Sequence, residues 1–109
     1  MINKYNKALS MLSIATKAGK VVSGGFMVEN AIQQGIAHLV IIAEDASGNT
    51  RKKFIDKCTY YHVPYRICAD SESLGRTIGK QDRKVVAVTN EGLAESVLNK
   101  LDISKEMEV

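Results

Sequence analysis

Val21-Val22-Ser23-Gly24-Gly25-Phe26-Met27-Val28-Glu29-Asn30-Ala31-Ile32 joins a short β-branched run, a glycine pair and the opening of a helical pattern. Met27 or Val28, Ala31, Ile32 and Gly35 recur at spacings that place them on one helix face. A glycine pair ahead of a helix leaves its first N–H groups bare and lets a foreign backbone come close. That end of a helix also carries partial positive charge, which suits a phosphate or another anion. A plain strand-to-helix turn with no ligand has the same sequence pattern. Lys17 and Lys20 lie just upstream and favour the anionic partner.

Outward from this turn, helical and apolar patterns alternate. Residues 4–18 predict a helix with Tyr5, Ala8, Leu9, Leu12 and Ala15 as its apolar stripe, stopped by Gly19. After a second helix over 25–34, His38–Ala43 is a continuous apolar run, as expected of a strand covered on both faces. Asn49 is a suitable N-cap for a third helix through Tyr61, with Phe54, Ile55, Cys58 and Tyr61 inward. Val63–Cys68 reads as a strand with Pro64 near its start. Asp70 or Ser71 caps a short helix closed by Gly79, Val85–Thr89 is a further buried strand, and Asn90 caps a last helix reaching Leu101. The alternation predicts an α/β protein: a three-layer α/β/α sandwich around a small, mostly parallel mixed sheet of about four strands, the short first strand pairing antiparallel at an edge. Residues 1–101 form one domain, and 102–109 lose the pattern and read as a frayed tail.

The 109-residue chain has 45% hydrophobic and 25% charged residues, ordinary for a soluble globular domain. No apolar run nears the roughly 20 residues that span a bilayer, and the N-terminus has no signal-peptide core, so the expected location is the cytoplasm, away from membranes. Cys58 and Cys68 form no CxxC pair and predict buried free thiols, with no metal site. The net charge of +3 is unevenly spread. Residues 1–20 hold four lysines and no acid, while 51–84 hold nine bases against four acids. Those blocks can fold onto one face as a nucleic-acid footprint, or coat separate helices as solvated surface.

Catalytic chemistry has one weak candidate. Glu44, Asp45, Asp70 and Thr89 follow predicted strands, where ligands of open α/β sheets gather, and would suit a magnesium-dependent phosphoryl site. No fifth strand ending in lysine accompanies them, and Asp70 also serves as a helix cap. His38 and His62 have no carboxylate or thiol partner by spacing, and no GxGxxG, P-loop, GxSxG or HExxH occurs. The expectation is therefore a protein that is not an enzyme and needs no cofactor. Structured RNA fits better, with Ser23 at the site's edge, bare N–H groups at the Gly24-Gly25 turn, apolar Phe26 and Met27, and charge from Lys17, Lys20, Arg83 and Lys84.

Five stretches then occur in a familiar order: Ala15–Gly24, Ala31–Ala46, Val63–Tyr65, Leu74-Gly75 through Gly79, and Val88–Gly92. Over about residues 8 to 101 the chain resembles the L-seven-Ae/L-thirty-e family of kink-turn RNA-binding ribosomal proteins, and more closely its small bacterial YlxQ-like branch. The resemblance implies the same sandwich, RNA with a kink-turn as partner, and the ribosome as one setting. In that family the helix after the glycine enters the RNA major groove, an Asn-Glu pair touches sheared G·A pairs, a lysine three residues on holds the backbone, and a loop before the last strand cradles a flipped nucleotide. By position the glycine is Gly24, the Asn and Glu fall at Phe26 and Met27, and the lysine falls at Asn30. Phe26 and Met27 accept no hydrogen bonds from guanine edges, whereas Phe26 can stack on a base. The alternative is a protein-interaction domain on the same fold with weakened RNA binding.

Overall fold

The computed structural model describes residues 5–107. Its elements run α1 (Asn6–Lys17), β1 (Val21–Ser23), α2 (Gly25–Gln33), β2 (Leu39–Ile42), α3 (Gly48–Tyr61), β3 (Tyr65–Ile67), α4 (Ser71–Thr77), β4 (Val85–Val88) and α5 (Glu91–Met107). The four strands form one sheet in the order β1-β4-β2-β3.

The apolar runs are buried because their side chains divide between two cores. Leu39 and Ile41 of β2 and Val86 and Val88 of β4 face α1, α4 and α5, meeting Leu12, Ala15, Leu74, Val97 and Leu101. Val40, Ile42, Val85 and Ala87 point the other way, onto Val28, Ile32, Phe54 and Cys58 of α2 and α3. All four residues of β2 and all four of β4 are buried. Burying one such side chain stabilises by roughly 1.5–3 kcal/mol. This is the expected sandwich, with helices on both faces of a central sheet.

Strand direction needs a correction. β1, β2 and β3 point one way, as a mostly parallel sheet requires, but β4 lies reversed between β1 and β2. Among the described residues, only β2–β3 is a parallel pair. The cause is local: α4 has seven residues, and the loop after it folds back so that the Arg83 N–H donates to the Ser71 carbonyl at 3.0 Å. The chain therefore enters β4 at the end where β3 finished. As expected, β1 is an antiparallel edge strand.

Several boundaries also move. Ser47, not Asn49, caps α3, its hydroxyl accepting from the Thr50 N–H at 3.1 Å. Pro64 stands outside β3 and lends its carbonyl to the Val40 N–H. Asp70 and Asn90 cap α4 and α5 as predicted, accepting from Ser73 and Leu93. The apolar pattern ends at Leu101, yet α5 continues to Met107. Residue 4, the expected start of the first helix, and residues 108–109 of the expected tail lie outside the described residues.

Both cysteines are free and buried. Burial pushes the Cys58 thiol up to about 11, and burial with help from the charge of Glu44 pushes Cys68 up to about 12. Among the described residues, no helix is long and apolar enough to cross a membrane.

Candidate nucleic-acid interface

Since β1, β2 and β3 share a direction, the helices after them, α2, α3 and α4, all begin at one end of the sheet. Each contributes the positive end of its dipole there. Ser47 caps α3 and Asp70 caps α4, but α2 begins at Gly24 with no side-chain cap. Its first intrahelical donor is the Val28 N–H, bonded to the Gly24 carbonyl at 3.0 Å. The N–H groups of Gly25, Phe26 and Met27 therefore have no acceptor within the helix.

Gly24 is held in place by its own N–H, which donates to the Val85 carbonyl of β4 at 3.0 Å. Its φ of 87° and ψ of 156° belong to a region that glycine alone populates readily. Gly25 sits over α3, where an added Cβ would stand 3.9 Å from the Phe54 ring. Phe26 is 81% exposed and Met27 48% exposed, although both are apolar. An open depression of about 290 Å³ beside them is lined by Gly25, Phe26, Glu29, Asn30, Gln33 and Lys53. Glu29 offsets part of the positive charge there, since Lys53 bonds it at 2.7 Å and Lys57 stands at 3.7 Å. The hydrogen bond from Lys53, against some desolvation, holds the Glu29 carboxyl below the usual range.

The predicted cations divide. Arg83 comes to the tip, its Nε donating to the Ser23 hydroxyl at 3.1 Å, one residue before Gly24. Lys84 arrives at the same end but is engaged: its Nζ donates to Ser71 Oγ at 3.2 Å and lies 3.7 Å from Asp45. Lys20 stands at the other end of β1, where its carbonyl accepts from the Thr89 N–H. Extended chain separates it from Gly24 by roughly 13 Å, and Lys17 closes α1 beyond it. Asn30 lies on the exposed side of α2, its Oδ1 accepting from Gln34 at 3.3 Å.

The loop before β4, expected to cradle a nucleotide, walls a depression of about 560 Å³ with Glu72, Arg76, Lys80, Gln81, Asp82 and Arg83. No aromatic residue lines it, so its grip would be ionic.

The acids do not gather into a phosphoryl site. Asp45 accepts from the Ser71 N–H at 2.9 Å and its hydroxyl at 2.8 Å. Asp70 caps α4, and Glu44 accepts from the Tyr5 hydroxyl at 2.9 Å. Thr89 lies at the opposite end of the sheet because β4 is reversed. Among the described residues, no group of three or more His, Cys, Asp or Glu side chains is placed to hold a metal ion.

The strap from Asp45 through Ser71 to Lys84 was not foreseen from the sequence, where Asp45 only opens a loop. It ties the loop after β2 to α4 and to the foot of β4. Hydrogen bonding from the Ser71 side chain, opposed by desolvation and helped by its N–H and by Lys84, holds the Asp45 carboxyl below its ordinary 3.8. A carboxyl lowered in the fold stabilises while ionised, and that stabilisation fades as pH falls below 3.8 through the lowered value. The urea midpoint of the protein should fall across that window, and Asp45→Asn should flatten the fall. An unchanged slope in the variant would show that Asp45 does not carry the linkage.

Comparison with known proteins shows the family and the fold. Residues 6–98 match the model of the ribosomal protein L7Ae/L30e/S12e/Gadd45 family. The chain belongs to that family. The RNA-binding protein YlxQ of Bacillus subtilis (strain 168) is 49% identical over 92 residues, covering 84% of this chain and 92% of that protein. A solved structure of a Bacillus halodurans protein superposes with a TM-score of 0.85 at 36% identity, covering 88% of this chain and 97% of that one. The Giardia lamblia 15.5kD RNA binding protein shares the fold with a TM-score of 0.79 at 19% identity, over 97% of this chain and 92% of that one. Gly24, the residue at which the resemblance puts the family's glycine, has a backbone that only glycine adopts easily.

Proposed function

We propose that this protein is a non-enzymatic, cytoplasmic RNA-binding protein of ribosomal-protein type that recognises kink-turn or similarly bent RNA through the N-terminal end of α2. The observation that carries the reading is the tip itself: an uncapped helix end, entered through Gly24, with Arg83 bonded to Ser23 just before it and Phe26 exposed in its first turn. Membership of the family and likeness to a curated RNA-binding relative support it. Residues 1–101 make up the RNA-binding domain, and ribosomal RNA is among the partners of this chemistry.

In this reading the bare N–H groups of Gly25–Met27 and the Arg83 guanidinium hold phosphates, which fix register. Phe26 and Met27 offer stacking and apolar contact to unpaired bases at the bend. RNA lying along the edge strand β1 would meet Lys20 at one end and the α2 tip at the other, so both can share one backbone.

The test is a titration with a kink-turn RNA and with a control whose G·A pairs are replaced, at two salt concentrations. Tight, salt-dependent binding that prefers the kink-turn is expected. Equal binding to both RNAs would remove the kink-turn from the proposal, and no binding would leave the protein-interaction reading. Asn30→Lys should raise affinity several-fold and steepen the salt dependence by about one unit, because it adds a cation on the exposed face of α2. Unchanged affinity in the same assay would place Asn30 away from the RNA.

A further inference from the structure

We propose that Gly75 is a positioning residue: its missing side chain lets the loop Lys80–Lys84 lie directly on α4, and so sets Arg83 at the α2 tip. The inference rests on the RNA-binding reading above. Gly75 is buried in the middle of α4. A Cβ there would overlap the Gln81 carbonyl and come within 3.0 Å of the Asp82 amide nitrogen. These are backbone atoms, which cannot swing aside as the end of a flexible side chain would.

The loop is stitched to α4 on either side of this contact. The Lys80 N–H donates to the Gly75 carbonyl at 2.7 Å, and the Arg83 N–H donates to the Ser71 carbonyl at 3.0 Å. From that anchored backbone the Arg83 side chain spans to Ser23 Oγ, next to Gly24. Its Nη1 donates to the Asp82 carbonyl at 3.0 Å, so the side chain is braced by the loop that Gly75 admits. A cation held in its binding position loses less freedom when RNA arrives, and affinity gains accordingly. An alanine at 75 would lift the loop and take the Arg83 anchor with it. Gly75 touches no RNA in this account and acts through Arg83.

The test compares the full chain with Gly75→Ala, Arg83→Ala and the double variant. It combines kink-turn RNA titration with amide hydrogen exchange in the absence of RNA. In the parent protein the Lys80 and Arg83 amides should exchange slowly, and Gly75→Ala should speed both while β2 amides stay protected. Each single variant should lose about tenfold in affinity and about one unit of salt slope, the signature of one phosphate contact. The double variant should lose no more than either single one. Losses that multiply to about a hundredfold, or an unchanged exchange pattern in Gly75→Ala, would overturn the proposal. If Gly75→Ala does not fold, exchange in the parent protein decides: fast exchange at Lys80 and Arg83 refutes the clamp, slow exchange upholds it. A parent protein that ignores RNA while keeping those amides protected would strike the RNA-binding reading and not the clamp.

Discussion

Gly24→Ala is expected to weaken the fold and to remove measurable RNA binding in one step. At φ 87° and ψ 156° the residue sits where side chains are strained. Nothing lies within 4 Å of an added Cβ, so the penalty is conformational and not a clash. Such a residue costs about 1–3 kcal/mol, readable as a lower urea midpoint. Relaxing the strain would turn the first turn of α2 and misdirect the N–H groups of Gly25, Phe26 and Met27. The Gly24 N–H would also leave the Val85 carbonyl, which registers β1 and α2 against β4.

Because stability and binding fall together there, a neighbouring variant must separate them. Gly25 has no positive φ, and a Cβ at 3.9 Å from Phe54 is an ordinary contact. Gly25→Ala should keep the unfolding free energy from urea titration within about 0.5 kcal/mol of the parent, as a compatible surface change does. It should nonetheless cut RNA affinity at least tenfold if ribose-phosphate comes against the backbone at this turn. Full affinity in Gly25→Ala would mean the RNA backbone never approaches the glycine pair. A Gly24→Ala protein as stable as the parent would mean that the strain is absent.

The layers were legible because β2 and β4 are solid apolar runs, which only a sheet covered on both faces accommodates. The reversal of β4 was not, since alternating patterns carry no strand direction; it depends on a seven-residue helix and a returning loop. The turn at Gly24 was legible because a glycine pair stands between a β-branched run and a helical pattern. The division of the cations did not: Lys20 and Gly24 are four apart in sequence, but a strand holds them extended where a turn would bring them together. Nor did charge counting reveal that Glu29 pairs with both Lys53 and Lys57 or that Asp45 and Ser71 engage Lys84. Gly75 did leave a trace, a glycine inside a helical pattern, which weakens the helix relative to alanine and so asks for a packing reason.

Phe26→Ala should separate recognition from stability more sharply than any other single change. The ring is 81% exposed at the first turn of α2, so its removal forfeits little burial, and the unfolding free energy should stay within about 0.5 kcal/mol of the parent. In the proposed RNA complex this exposed ring would stack on a displaced base, worth roughly 1–3 kcal/mol. Affinity should therefore fall by a factor of about 5 to 150, with the salt slope unchanged because no charge is lost. That constancy distinguishes stacking from a phosphate contact, and a slope that moved would show the tip had been repositioned. Phe26 and Met27 stand where the resemblance expects Asn and Glu, so Phe26→Asn with Met27→Glu exchanges stacking for hydrogen bonds to guanine edges. The double variant should bind a G·A kink-turn at least as well as the parent and bind the G·A-replaced control more weakly. If it discriminates no better, the first turn of α2 does not face the G·A pairs, and Phe26 engages a different part of the bend.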